Sequence, residues 1–130
     1  MCNDNKKSCS CLAELLQQIV ILQQIDEPNS GCSQPFLGGN NTNYNTRPLS
    51  LYACCSNAIW TLPYNSNGTQ GESTFFRVES INENCATFRI LIRSGEAEPY
   101  TYTATNNFFT IDLNCVGSIK CHGDTLITNL

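Results

Sequence analysis

Residues 76–93 read FRVESINENCATFRILIR, and their alternation decides the fold class. Phe76, Val78 and Ser80 alternate with Arg77 and Glu79. After the turn Asn82-Glu83-Asn84, Ala86, Phe88, Ile90 and Ile92 alternate with Thr87, Arg89, Leu91 and Arg93. A period of two sends successive side chains to opposite faces of a strand. The stretch therefore predicts a β-hairpin with one buried face.

The same period extends in both directions. Downstream, Tyr100 to Thr105 reads as a Thr/Tyr strand. Phe109, Ile111, Leu113, Cys115, Ile119 and Cys121 then share one parity, opposite Thr110, Asp112, Asn114, Ser118 and Lys120. That run is longer than most strands, and Gly117 marks a bend or bulge within it. Upstream, Asn67-Gly68 predicts a tight turn. A strand is expected around Trp60, over residues 57–63. Leu49, Leu51, Ala53 and Cys55 alternate with Ser50, Tyr52 and Cys54. Residues 26–46 form a Gly/Asn-rich loop, entered through the helix-stopping run Asp26-Glu27-Pro28-Asn29-Ser30-Gly31.

Before the loop the period changes. Leu12, Leu15, Leu16, Ile19, Val20 and Leu22 recur at helical spacing and predict an amphipathic helix over about 12–25. Ser10 is placed to cap it, and Glu14 in its first turn complements the dipole. Residues 1–11 form a polar arm, expected to be mobile, that carries Cys2, Cys9 and Cys11. One helix followed by short strands predicts a mainly β chain. The expected form is a single domain over 12–130, built as an antiparallel β-sandwich-like domain with strands over about 47–121.

Composition narrows the function. The 130 residues suit one domain. Only 14% are charged, against roughly 25% in an average soluble domain. Asn, Thr, Ser and Gln must supply the polar surface, which tolerates close packing of identical copies. The net charge is -4 and Lys occurs only at 6, 7 and 120. Without a basic stripe, nucleic-acid binding is not expected. The apolar run Ile19 to Leu22 falls far short of the ~20 residues that span a bilayer, so membrane insertion is not expected either. Met1 to Ser10 lacks the pattern of a secretory signal, which points to synthesis in the cytosol.

Nine cysteines, at 2, 9, 11, 32, 54, 55, 85, 115 and 121, sit uneasily with that. Such density belongs where disulfides persist, or in a zinc protein. Nine is odd, so pairing within one chain cannot be complete. Strand parity sorts the thiols. Cys55 follows Leu49 and Leu51, while Cys115 and Cys121 follow Ile111 and Leu113. These three are expected to be buried or to pair within the chain. Cys54 points opposite to Cys55, Cys85 shares parity with Thr87 and Arg89, and Cys32 lies in the loop. Together with Cys2, Cys9 and Cys11 they are the candidates for intermolecular disulfides.

Other chemistry finds less support. The only histidine, His122, adjoins Cys121, but neighbours on a strand face apart, so no catalytic pair is expected. The chain has no Cys-x-x-Cys knuckle, and neither metal nor cofactor is expected. A zinc-binding adaptor or interaction domain is the alternative reading. Lys is nearly absent from the strand region, which leaves pairing between sheet edges of separate copies open.

Three stretches carry a family resemblance. They are residues 31–38 (GCSQPFLG), Asn45-Thr46-Arg47-Pro48, and Phe76-Arg77-Val78-Glu79-Ser80 with Cys85 shortly after. With Thr110-Ile111-Asp112-Leu113-Asn114-Cys115 and Ile119-Lys120-Cys121, they resemble the CotY/CotZ/ExsY family of spore coat and exosporium proteins. The Phe-Arg-Val-Glu-Ser element is the most specific. The resemblance implies a non-enzymatic subunit of the outer coat, crust or exosporium basal layer. It implies self-assembly into hexamers or extended arrays beside other spore surface proteins. It also implies synthesis in the mother cell with oxidation after lysis, and a disulfide role for Cys32, Cys85, Cys115 and Cys121 with partners unassigned. The pair Cys54-Cys55 and the region around Trp60 lie outside the family pattern.

Overall fold

A computed structural model describes residues 6–24, 44–98 and 100–130, and within α1 the side chains of Cys11 to Gln23. One helix, α1 (Lys6–Gln24), precedes seven strands: β1 (Leu49–Ala53), β2 (Leu62–Ser66), β3 (Thr69–Ser73), β4 (Phe75–Asn82), β5 (Cys85–Ser94), β6 (Thr101–Asp112) and β7 (Val116–Cys121). The chain is mainly β and antiparallel, as the alternation predicts.

The helix starts earlier than expected. Ser10 lies inside it rather than capping it, and its first turn carries no acidic residue. The apolar stripe begins at Leu12, but residues 6–11 contain no Gly or Pro to stop the helix from continuing outward. Leu16, Ile19, Val20 and Gln23 are buried, which is one face at helical spacing. Gln23 fixes the end of that face: its Nε2 donates to Val78 O at 2.9 Å, and its Oε1 accepts from Arg47 N at 3.1 Å.

β4 and β5 form the expected hairpin, joined by Glu83-Asn84, with Phe76 opposite Ile90 and Val78 opposite Phe88. A bulge after Val78 reverses parity, so Ser80, expected inward, is exposed while Ile81 packs on the core. Asn67 (φ 53°) and Gly68 (φ 82°) turn β2 into β3 as the Asn-Gly pair predicts. The strand expected over 57–63 begins only at Leu62, and the preceding segment contributes one bridge, Tyr52 to Ile59. The long run after Tyr100 divides into β6, a 3-10 turn η1 (Leu113–Cys115) and β7.

The strand order is β6-β5-β4-β1-β7, yet β1 joins β4 through a single pair, Leu49 to Phe76. A flat continuation of that antiparallel ladder would carry Cys54 about 40 Å from Asn84, at ~3.3 Å per residue. Instead Cys54 N donates to Cys115 O, and Leu113 N donates to Asn84 O, both at 2.9 Å. The β1–β7 pair thus folds back over β4–β5–β6 instead of extending the sheet, which makes the sandwich. Between the layers lie Leu49, Leu51, Phe76, Val78, Ala86, Phe88, Leu113 and Val116, all at most 1% exposed, with the α1 residues. Phe88 and Phe109 stack, and Phe76 meets both edge-on, with centroids 5.0–6.3 Å apart. Trp60, Leu62 and Tyr64 pack on the same cluster.

The C-terminal segment is fastened by side chains. Asn45 exchanges two hydrogen bonds of 2.9 Å with the backbone of Ile127. Arg47 grips Asp124 with two bonds, at 2.6 and 2.9 Å. Arg77 donates to Thr46 Oγ1, Asn45 O and Glu79 Oε2 at 3.0, 3.1 and 2.7 Å. Two stretches of the family pattern, 45–48 and the more specific 76–80, are therefore tied together by one guanidinium.

Candidate functional site

The cysteines are the chemical feature of this surface. Cys11 is exposed on α1, next to Leu12, which packs on the core. Cys9 lies in the same helix, though its side chain is outside the described residues, as are Cys2, Cys32 and the loop motif of residues 31–38. Cys54 is half-buried and Cys85, at the start of β5, is exposed.

Cys55, Cys115 and Cys121 correct the parity reading: all three are exposed, free thiols. Each departs for its own reason. β1 ends at Ala53, so Cys55 sits beyond the alternation, at φ 77° in a γ-turn closed by Ser56 N donating to Cys54 O at 2.8 Å. The 3-10 turn rotates the chain between Leu113, fully buried, and Val116, 1% exposed, and throws Cys115 outward. Asp112 caps that turn by accepting from Asn114 N at 2.9 Å. Cys121 does face the same side as its partner Leu49, but it lies at the end of an edge strand. Gly117 is the extra residue of a bulge opposite Tyr52 and Ala53, as its type suggests.

Cys55, Cys85 and Cys115 are brought to one end of the sandwich. Cys85 pairs with Asp112, which opens η1, and Cys115, which closes η1, bonds through its carbonyl to Cys54 N. Asn84 Nδ2 donates to Asn114 Oδ1 at 3.0 Å and to Asp112 Oδ1 at 3.3 Å, which ties the β4–β5 turn into this end. Cys121 lies at the other end of β7.

Sequence reasoning missed a Ser-His contact. Ser50 Oγ, 2% exposed as a residue, is 2.8 Å from His122 Nε2 and 3.0 Å from Thr74 O. A hydroxyl has one proton. With that proton given to Thr74 O, His122 Nε2–H donates to Ser50, and no base remains to activate the serine. Burial, then Lys120 and Arg93, push His122 below the ordinary histidine range. The signal was available: Ser50 and Lys120 face each other across β1–β7, and His122 shares their parity. On Arg47, the hydrogen bonds it donates to Asp124 outweigh burial and hold the guanidinium above its ordinary value.

Among the described residues no three His, Cys, Asp or Glu side chains are grouped to hold a metal ion. An open cleft of about 640 Å³ is lined by Tyr44, Glu98, Tyr100, Tyr102, Asp124 and Leu126, and contains no thiol. No helix among the described residues is long and apolar enough to cross a membrane. The sheet edges are blunted. Asn129 exchanges two bonds with the backbone of Ala104 on β6, Asn107 does the same with Asn65, and Lys120 stands on β7.

Fold and surface define a class, a small cysteine-rich β-sandwich with five of its described thiols facing solvent. The sequence model of the family described as Spore coat protein Z matches residues 1–103, and the chain belongs to that family. Over 141 aligned residues it is 27% identical to Spore coat protein Z of Bacillus subtilis (strain 168), covering 95% of each chain. No solved structure matches the chain.

Proposed function

We propose that this chain is a self-assembling structural subunit of the spore surface, in the outer coat, crust or exosporium basal layer, and that disulfides lock its arrays. Cys11, Cys55, Cys85, Cys115 and Cys121 are the observation that carries this reading: all are exposed and free. A buried thiol is inert, whereas an exposed one can exchange with a neighbouring chain. Family membership supplies the setting, the spore coat. Synthesis in the mother cell, with oxidation once that cell lyses, reconciles many cysteines with a cytosolic origin. The partners are further copies of the chain, as a hexamer or extended array, and other spore surface proteins. The role is non-enzymatic, consistent with the unactivated Ser50–His122 pair.

Electron microscopy of the purified protein, beside gels run with and without reductant, tests the proposal. Regular sheets, rings or fibres that need reductant to yield monomer are expected. A clean monomer with no ladder after oxidation overturns it. Replacing Cys2, Cys9 and Cys11 together by Ser is expected to leave the fold intact and let assemblies dissolve in denaturant alone. Assemblies that still need reductant would show that the remaining thiols suffice.

A further inference from the structure

The cleft beside the C-terminal segment contains no thiol, so disulfide linkage leaves it unused. Its walls come from three stretches: Tyr44, the entry to β6 with Glu98, Tyr100 and Tyr102, and Gly123 to Leu126. Each wall is held from behind. The Arg93 guanidinium lies 4.0 Å from the centroid of Tyr100 and 4.3 Å from that of Phe75, and Tyr102 meets Phe75 edge-on at 5.8 Å. Asp124 is fixed by two bonds from Arg47, and Thr125 by backbone bonds with Thr46. Side chains positioned in advance lose little freedom on binding. Tyr44 and Leu126 remain open to solvent, at 49% and 48% exposure, and a Cβ at Gly123 would meet nothing within 4 Å. The volume, about 640 Å³, falls within the roughly 300–1,000 Å³ of small-molecule sites.

The lining selects the ligand. Its charged groups are Glu98 and Asp124, which only accept hydrogen bonds and disfavour an anion. A cation gains little, because Arg47 already neutralises Asp124 and Arg93 stands behind Tyr100. Over the segments 44–47, 93–102 and 120–126, Glu96, Glu98 and Asp124 balance Arg47, Arg93 and Lys120. His122, pushed below the ordinary histidine range chiefly by burial, adds no charge at neutral pH. Burial also holds the Tyr102 hydroxyl above its ordinary range, against the hydrogen bond from Arg93, so it stays protonated. A neutral ligand fits such a site if it has hydroxyls to donate to carboxylates and C–H faces to lie on aromatic rings. A sugar ring has both.

We infer that this cleft binds a neutral saccharide, with Tyr44 and Tyr100 against its C–H faces and Glu98 and Asp124 accepting from its hydroxyls. Saccharide binding lies beyond the subunit role proposed above and needs none of its disulfides.

The test titrates reduced, nitrogen-15-labelled full-length protein with cellobiose, maltose and N,N′-diacetylchitobiose, and with tetramethylammonium chloride as a cationic probe, following backbone amides by NMR. At least one disaccharide is expected to move the amides of Tyr44, Tyr100, Gly123, Thr125 and Leu126 together and saturably, in the millimolar range. Tyr44→Ala removes an exposed ring, and Gly123→Phe places a ring in the cleft. Each should weaken that binding by about ten-fold, with the remaining amide spectrum as in wild type. No saturable response to any of the sugars overturns the inference. So does a response to tetramethylammonium at lower concentration than to any sugar, which would make the cleft a cation site. A sugar response that both variants leave unchanged overturns it too, by placing the binding elsewhere. Because the protein is kept reduced, each of these outcomes leaves the disulfide-linked subunit standing.

Discussion

The β4–β5 hairpin and the β1–β7 pair carry equally regular alternation in sequence, yet only in the first does parity predict burial well. Phe76, Val78, Ala86, Phe88 and Ile90 all face the core as their spacing demands, but Leu91, on the face expected to be open, is also fully buried, in a second cluster with Ala104 and Ile127. In the second layer, Leu49, Leu51 and Val116 are buried but Cys55, Cys115 and Cys121 are not. β4 and β5 have strand neighbours on both sides, whereas β7 is an edge strand entered through a 3-10 turn and kinked at Gly117. Parity fixes which way a side chain points. Whether anything lies there to cover it depends on the neighbouring layer.

That contrast can be broken from its strong side. Phe88→Ala empties the centre of the aromatic cluster and should cost about 3–5 kcal/mol, a large share of the roughly 5–15 kcal/mol of a typical domain. Urea unfolding of the reduced protein should show a partly or wholly unfolded variant. A loss below about 1 kcal/mol would mean that the layers do not close on Phe88. Arg77→Ala comes next, at about 2–3 kcal/mol, because three hydrogen bonds go with one guanidinium and the carboxylate of Glu79 is left with the longer contact to Arg89 alone, at 3.6 Å. Hydrogen exchange should also rise at Thr46 and Thr125, whose backbones bridge beside it. Unchanged protection there would separate Arg77 from the C-terminal segment.

The β1–β7 side offers smaller effects. A Cβ at Gly117 would stand 3.1 Å from Cys54 Cα and 3.2 Å from Ala53 O. Both are backbone atoms, so Gly117→Ala should destabilise by about 1 kcal/mol, and no loss would show that the bulge is slack. His122 gives a pH dependence. Its folded pKa is lowered, chiefly by burial, so below the ordinary value of about 6.5 the unfolded chain takes up the proton first. Stability attributed to His122 is therefore fully present above that pH and lost as pH falls through the folded value. Unfolding at several pH values, in wild type and His122→Gln, should show a slope over this window that the variant lacks. The smallest effects belong to Cys55→Ser, Cys115→Ser and Cys121→Ser, each within about 0.5 kcal/mol for the reduced monomer. A loss above 1 kcal/mol at any of them would place that thiol back in the core.

Much of the fold was legible from local pattern. The helix stripe, the β4–β5 hairpin, the Asn67-Gly68 turn and the Gly117 bulge each follow from spacing or from a residue type with a narrow backbone preference. The thiol-bearing site was legible only in part. Cys85, at the start of β5, is exposed, as expected. Cys115 and Cys55 were misplaced because a three-residue 3-10 turn and a γ-turn, neither marked by Gly or Pro, interrupt alternation that looks continuous in the chain. The asparagine pairings of Asn45, Asn107 and Asn129 left no local trace, since each partner lies at least 25 residues away, apart from the Asn-rich composition itself.

By itself the sequence determined the class of fold, the unequal cysteine count and a resemblance to the spore coat family, because these rest on short-range periodicity and residue identity. Only the tertiary structure decided that β1–β7 folds back over the other layer, joined to β4 by one pair at Leu49, and that the thiols gather at opposite ends. The physical reason is that exposure is a property of what packs on a residue. At Cys55, Cys115 and Cys121 that is set by distant segments, through bonds such as Leu113 to Asn84 that no local pattern encodes.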